Sequence, residues 1–429
     1  MVDPLMKKML MISYYAPPQL NAESILVAKT LKFLSRQYHV HLVTVGEEAE
    51  FKVDPFLVEE MGEGVQVTRL SNPKPTSRVL RKLYRETVGR VSSIDNPIWL
   101  RAAETMLNMM VKPGEFDVLY SRSQPGSSHL AALFAKKKFN LPWIAQFSDP
   151  WAHNPYHPYS GRKKQAIEAR EREVVELADK LVFPTQEMLE LYAQAHPGVD
   201  VAGKSIVLPH HYDPELYIGS DETAELAKTQ LSPAPARNKV RLAYIGDFYG
   251  LRSPEPLVKG LRVLKERRPE LLQGLELQVV GNVERTFHPL LEEAERTLGM
   301  TVQRVGQVPY RKSLELMAET DILLLVDAPS DVNLFLSSKL IDYLGARRPV
   351  LGITSTKGTA GRLLQESGWH VHHPDDVDGI ADALELYLGR LDEQQARAKA
   401  NPVERFSSEH VVGELVALCE QAIEESGNR

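Results

Sequence analysis

Cysteine is nearly absent from this sequence, with Cys419 alone among 429 residues. That excludes a disulfide framework and any metal site built on several cysteines, and a reducing cytosol is the expected compartment. No apolar run is long enough to span a bilayer. The opening stretch MVDPLMKKMLMISYYAPP has two lysines before a short apolar run, and Pro17-Pro18 ends that run before it reaches the length of a secretory core. Net basic charge is missing as well. The 51 Lys and Arg are outnumbered by 57 Asp and Glu, a formal charge of -6, whereas general nucleic-acid binding needs a basic stripe that neutralises phosphates. What is present is an ordinary globular composition, 43% hydrophobic and 25% charged, on a chain long enough for two or three cores.

Apolar runs with strand character alternate with helical patterns. MLMISYY at 9–15, the helical AESILVAKTLKFLSRQ and HVHLVTV at 39–45 form the strand, helix, strand unit of a parallel sheet. Further strands are expected at 116–121, 141–147, 179–185 and 205–210, which together make one doubly wound half. Polarity rises over GSDETAELAKTQLSPAPARNK, and residues 219–239 are expected to be a linker. The alternation then restarts with strands at 240–246, 275–281, 320–326 and 348–354. The expected fold class is α/β, two Rossmann-like domains facing across a cleft. Residues 1–218 form the first, 240–405 the second, and a helix at 406–429 packs back toward the first.

Charge is uneven in the first half. Over 69–90, Arg69, Lys74, Arg78, Arg81, Lys82, Arg85 and Arg90 face only Glu86, and Val79, Leu80, Leu83 and Tyr84 interleave with them. Such a segment reads either as a helix on an anionic membrane surface or as a solvated face whose basic stems cover apolar surface.

The stretch NLFLSSKLIDYLGARRPVLG, 333–352, sets polar residues at the start of an otherwise apolar helix. Ser337 or Ser338 is a natural N-cap. Lys339 is less natural, because the helix dipole disfavours a first-turn cation unless an anion sits beside it. Asp342 lies three residues on, where it could accept hydrogen bonds from sugar hydroxyls or simply pair with Lys339. In YIGDFYGLRSPEPL, Gly246 ends a strand, Gly250 follows in the loop and Arg252 precedes the next helix. Gly281 ends the following strand. Glycines at strand ends let backbone approach a ligand, and Arg252 with Lys339 would offer two cations to a nucleotide diphosphate.

Over nearly its whole length the chain resembles glycosyltransferases of the GT-B fold, similar to the retaining glycosyltransferase family 4. SYYAPPQLNAESILVAKTLKFLSRQYHVHLVTV resembles that family's first strand, Pro-Pro loop, helix and second strand, and VLPHHYDPELY its linker signature. DYLGARRPVLG resembles the segment whose carboxylate binds the donor ribose, which implies that role for Asp342. VGQVPYRKSLELMAETDILLLV resembles the base-binding loop and strand, implying a backbone contact near Val308. The family's Gly-Gly, whose amides face the donor phosphate, corresponds to Asn21-Ala22 or a near neighbour. Its usual Glu eight positions before the ribose-binding carboxylate corresponds to Leu334, with Asp331 and Asn333 nearby, and its usual Arg after the YIG glycine is Asp247.

In WIAQFSDPWAHNPY, Ser148 takes the position of the family's His, and Asp149 keeps the adjacent carboxylate. Asp149 would face the transferred sugar or the acceptor hydroxyl, or else cap the turn at Pro150. Trp151, His153 and Tyr156 follow as rings suited to sugar faces. Arg122, Ser123, Gln124 and Ser127 form a further polar loop on the acceptor side. HVHHPDDVDGIADAL holds three histidines and Asp376-Val377-Asp378 before a late helix, where capping is the expected use, and no metal is expected. The resemblance implies a retaining sugar transfer from a nucleotide-diphosphate sugar; separately, no metal and no further cofactor are expected, and UDP is the favoured nucleotide. The acceptor would be a glycan or lipid-linked glycan, reached from the cytoplasm, at the inner membrane face if residues 69–90 bind lipid. Asp149, Arg252 and Lys339 would serve catalysis. Gly246, Gly250, Gly281, Val308, Asn333, Ser337, Ser338 and Asp342 would hold the donor, and Asn21, Ala22, Arg122, Ser123 and Trp151 would lie on the acceptor side. An epimerase of the same fold and a degenerate binding scaffold are the alternatives.

Overall fold

A computed structural model describes residues 6–46, 51–73, 77, 79, 82, 92–155, 158–217, 239–330 and 333–427. Most of the basic 69–90 segment, Tyr156, Asp331 and nearly all of the 219–239 linker lie outside the described residues. The chain divides into two units, Met1–Pro209 with Ser408–Arg429, and His210–Ser407. Residues 210–217 therefore belong to the second unit, and the last helix to the first.

The first unit is built on β1 (Lys8–Ser13), α1 (Ala22–Leu34), β2 (His39–Val45), β3 (Gln66–Leu70), α2 (Pro97–Met110), β4 (Val118–Ser123), α3 (Ser127–Phe139), β5 (Trp143–Phe147), α4 (Gly161–Leu177), β6 (Lys180–Phe183), α5 (Gln186–Ala195) and β7 (Ser205–Val207). Its seven parallel strands run in the order β3-β2-β1-β4-β5-β6-β7. The second unit holds β8 (Val240–Ile245), α6 (Glu255–Arg267), β9 (Leu275–Val280), α7 (His288–Leu298), β10 (Thr301–Gly306), α8 (Tyr310–Glu319), β11 (Ile322–Val326), α9 (Ser338–Gly345), β12 (Val350–Ile353), α10 (Thr359–Glu366), β13 (Val371–His372), α11 (Val377–Gly389) and α12 (Leu391–Ala400). Its six parallel strands follow β10-β9-β8-β11-β12-β13. The final helix is α13 (Ser408–Gly427).

These are α/β units with doubly wound parallel sheets, and the sequence dictates their interiors. MLMI of β1 and ILLLV of β11 are buried on both faces, as parallel strands covered by helices must be. Helix ends are set by local chemistry. Thr185 accepts from the Met188 amide at 3.0 Å to start α5, and Asp376 accepts from Gly379 N at 3.0 Å to start α11, the capping use expected for that aspartate. Asn140 closes α3 in the left-handed conformation with three lysines in the preceding turn, where they oppose the negative helix end.

Three strands escape the hydrophobic pattern. β3 carries Thr68 and Arg69 in a half-buried edge position, β10 is largely exposed, and β13 is two residues long. Edge strands need little apolar surface, so their sequences resemble loops.

In each unit the strand order reverses at one place, between β1 and β4 and between β8 and β11. Connections on either side of such a reversal leave in opposite directions and open a crevice beyond the strands' carboxyl ends.

Candidate functional site

At the reversal in the second unit, four side chains of opposite charge gather. Lys339, in the first turn of α9, directs its ammonium 3.3 Å from the Tyr244 hydroxyl and 4.8 Å from the centre of that ring. Arg252 donates from Nη2 to Asp327 Oδ1 at 3.2 Å. Asp327 directly follows β11 and is itself anchored, its Oδ2 accepting from Thr354 Oγ1 at 3.0 Å and from Asn333 Nδ2 at 3.3 Å. Asp247 is committed elsewhere, its two oxygens taking the backbone and side-chain amides of Asn282 at 2.7 and 3.0 Å. Burial pushes the Lys339 ammonium down to about 8, with the nearby Arg252 charge adding to the effect. A cation held so, half-covered and beside another cation, gains strongly from an arriving anion.

Backbone shape admits this crowding. Gly246 has φ +154, and a Cβ there would lie 2.3 Å from the Lys339 ammonium. Gly281 has φ +136, and its Cβ would meet the Gly246 carbonyl oxygen at 2.3 Å. Gly281 is required by close approach to backbone, whereas Gly246 meets the flexible end of a lysine and is favoured there by its positive φ. Gly250 differs: it stands in the open at φ +55 and donates its amide to Glu284 at 2.9 Å. Tyr249 and Leu251 beside it are exposed, while Phe248 turns inward to stack on Tyr244 at 3.9 Å.

The start of α9 corrects part of the sequence reading. Ser337 occupies the N-cap position, but its side chain makes no capping bond, and Ser338 is already helical. The Ser337 carbonyl accepts from Leu340 N at 3.0 Å instead. Lys339 and Asp342 also part company, Lys339 turning to Tyr244. Asp342 is buried, with Oδ1 accepting from the Tyr310 hydroxyl at 3.2 Å and its carbonyl from the Tyr217 hydroxyl at 3.0 Å. Asn333 is also buried, and its Oδ1 takes the Phe335 amide at 2.9 Å. Val308 is partly exposed after β10, ahead of α8, whose Tyr310 reaches Asp342.

At the reversal in the first unit, Glu23 of α1 divides its carboxylate between Arg122 Nε and Ser148 Oγ, each at 2.8 Å. Arg122 is buried, and Nη1 also reaches Thr30 Oγ1 at 3.3 Å. Asp149 follows Ser148, and burial with the negative charge of Glu23 raises its carboxyl to about 6. Gln124 steadies this loop by donating to the Pro150 carbonyl at 3.1 Å. The cluster can accept hydrogen bonds from hydroxyl groups, and Asp149 can exchange a proton near neutral pH.

The other four acceptor-side residues, Trp151, Asn21, Ala22 and Ser123, take different positions. Trp151 is 2% exposed and lies in the core, where a Cβ on Gly126 would come within 2.1 Å of its ring. It has no open face for a sugar. Asn21 caps α1, its Oδ1 taking the Ser24 amide at 2.9 Å, and Ala22 is the first helical residue. Ser123 is wholly buried. His153 lies 3.9 Å from the buried Glu171, which also receives His196 Nε2 at 3.2 Å and the Tyr192 hydroxyl at 3.0 Å.

Glu23, Asp327, Thr354 and Tyr244 are the residues that sequence reasoning missed. Asp327 left a signal, a carboxylate placed directly after a five-residue buried strand. Glu23 left none, since an acid in the first turn of a capped helix is ordinary. Among the described residues, no group of three or more His, Cys, Asp or Glu side chains could hold a metal ion. No described helix is long and apolar enough to cross a membrane.

Residues 27–203 match the family model for the glycosyl transferase 4-like domain. No curated protein matches. Among solved structures, the chain is similar to Anabaena HepE in complex with UDP-glucose, at 14% identity and a TM-score of 0.61, covering 98% of this chain and 100% of that one. It is also similar to the E. coli trehalose-6-phosphate structure bound with UDP-2-fluoro glucose, at 13% identity and TM-score 0.64, with 97% and 99% covered. A third is WaaG, a glycosyltransferase involved in lipopolysaccharide biosynthesis, at 15% identity and TM-score 0.58, with 97% and 98% covered.

Proposed function

We propose that this chain, a glycosyltransferase of the GT-B fold, takes a UDP-sugar in its second unit and a glycan or lipid-linked glycan on its first. The observation that carries the reading is the pair of cations, Lys339 and Arg252, at the carboxyl ends of the central strands, with Gly246 leaving room for the Lys339 ammonium. Charge develops on the departing diphosphate during transfer, and fixed cations stabilise it there more than in the bound donor. Lys339 and Arg252 supply that charge from the protein itself, which is the basis for a metal-independent reaction. Asp342, buried beside Tyr310, receives the ribose hydroxyls, and backbone near Val308 meets the base. Binding of UDP-glucose by HepE and of UDP-2-fluoro glucose by the E. coli structure favours UDP as the nucleotide.

On the first unit, Asp149 receives the acceptor hydroxyl or the transferred sugar, within the polar group formed by Glu23, Arg122 and Ser148. The likeness to family 4 supports transfer with retention of configuration. The basic 69–90 segment brings the enzyme to the inner face of an anionic membrane, where a lipid-linked acceptor resides.

Calorimetric binding of UDP, GDP and ADP to the wild type and to Asp342→Ala tests the donor reading. Tight binding of UDP alone, weakened by about ten-fold or more in the variant, is the expected result. Binding of none of the three removes the donor site and leaves a binding scaffold.

A further inference from the structure

Asp327 is a carboxylate inside what is otherwise a site for anions, and its two oxygens are unequally bound. Oδ2 is fixed by Thr354 and Asn333, while Oδ1 meets Arg252 at 3.2 Å. Asp327 is 5% exposed, and its amide donates to the Ile353 carbonyl at 3.1 Å, so both backbone and side chain are tied to the sheet. Arg252 is the looser partner. Its side chain is 26% exposed, and its loop carries the exposed Tyr249, Gly250 and Leu251. With Lys339 and Arg252 opposed by Asp327 and Asp247, the formal charge of the cluster is zero. Asp247 is occupied by Asn282, whereas Asp327, among the described residues, pairs directly with Arg252.

We propose that Asp327 is a counter-ion latch: it holds Arg252 when no anion is bound, and a bound diphosphate must draw Arg252 away from it. This rests on the donor reading of the second unit and adds to it a positioning residue that sets how strong an anion the site accepts. A group with a single negative charge competes poorly with a fixed carboxylate for one guanidinium. A diphosphate brings more charge and several acceptor oxygens, and it engages Lys339 at the same time.

The test is calorimetric binding of inorganic pyrophosphate and of UDP to the full chain carrying Asp327→Asn. The amide keeps an acceptor for Thr354 and Asn333 and removes the charge. Both probes are expected to bind about ten-fold more tightly than to the wild type, a gain that loss of structure does not produce. Unchanged or weaker binding by a folded variant, with the wild type binding normally, overturns the latch and leaves the donor reading intact. If neither protein binds either probe, both fall. Should Asp327→Asn fail to fold, Asp327→Ser takes its place, with the same tightening of both probes expected in a chain that keeps Arg252. Because the latch acts through Arg252, the same substitution added to Arg252→Gln should leave pyrophosphate binding unchanged, and a gain of equal size with and without Arg252 overturns the latch by assigning the effect to the charge of Asp327 alone.

Discussion

The Lys339 ammonium lies 3.3 Å from the hydroxyl of Tyr244, on a helix that begins 93 residues after that tyrosine's strand ends. The same ammonium stands 4.8 Å from the Tyr244 ring centre, and Phe248 stacks on that ring from its own loop. An aromatic ring and its hydroxyl thus hold a cation whose charge burial disfavours, at the place where strand order reverses.

Lys339→Met is expected to trade binding for stability. The folded ammonium titrates near 8 against the ordinary 10.5, so folding releases protons between those values and wild-type stability rises as pH climbs through that window. Below about pH 8 the buried charge is a cost. The variant should therefore be about 1–2 kcal/mol more stable at pH 7, with the difference shrinking toward pH 10.5, while UDP binding is lost. Urea denaturation at both pH values checks the first part and calorimetry the second. Lower stability with retained binding would place Lys339 outside the anion site.

Gly246→Ala should displace the Lys339 ammonium, which its new Cβ would approach to 2.3 Å at a backbone φ of +154. The flexible lysine gives way, but the backbone strain remains, on the order of 1–3 kcal/mol. UDP affinity is expected to fall by roughly ten-fold or more. Affinity equal to that of the wild type would show that the ammonium's position is immaterial.

Asp149 should impose pH dependence on transfer. Its carboxyl titrates near 6 instead of 3.8, because of burial and the Glu23 charge. A raised acid pKa means that folding takes up protons between about 4 and 6, so its contribution to stability is full below 3.8 and is lost as pH rises through 6. Rates that require the ionised form climb across the same interval. Glu23→Gln moves that limb to lower pH, read from a rate profile between pH 4 and 8. An unmoved limb assigns it to another group.

Gly126→Ala tests the corrected place of Trp151. A Cβ 2.1 Å from the indole overfills the core, at a cost of about 1–3 kcal/mol. Lower stability with altered tryptophan fluorescence is the expected result, and an unaffected protein would return Trp151 to the surface.

Sequence and structure agree most closely where a pattern is local. The buried strands ILLLV and MLMI, the caps at Thr185 and Asp376, and the glycines Gly246 and Gly281 at strand ends are legible because period, propensity and φ are properties of short segments. The edge strands β3 and β10 are not, since their solvent-facing residues carry the composition of a loop. Ser337 looked like a cap because its type suits one, yet the chain enters α9 with the hydroxyl unused for capping.

The sequence by itself determined two parallel α/β halves and the presence of Lys339 and Arg252 after strands of the second, because hydrophobic alternation selects the sheet and loop residues follow the strands that precede them. Only the tertiary structure decided that Asp327 holds Arg252 across 75 positions, that Glu23 bridges Arg122 and Ser148, and that Trp151 is core. Those outcomes depend on which strand lies beside which, and the pairing of β8 with β11 and of β1 with β4 is settled by long-range packing that no local period encodes.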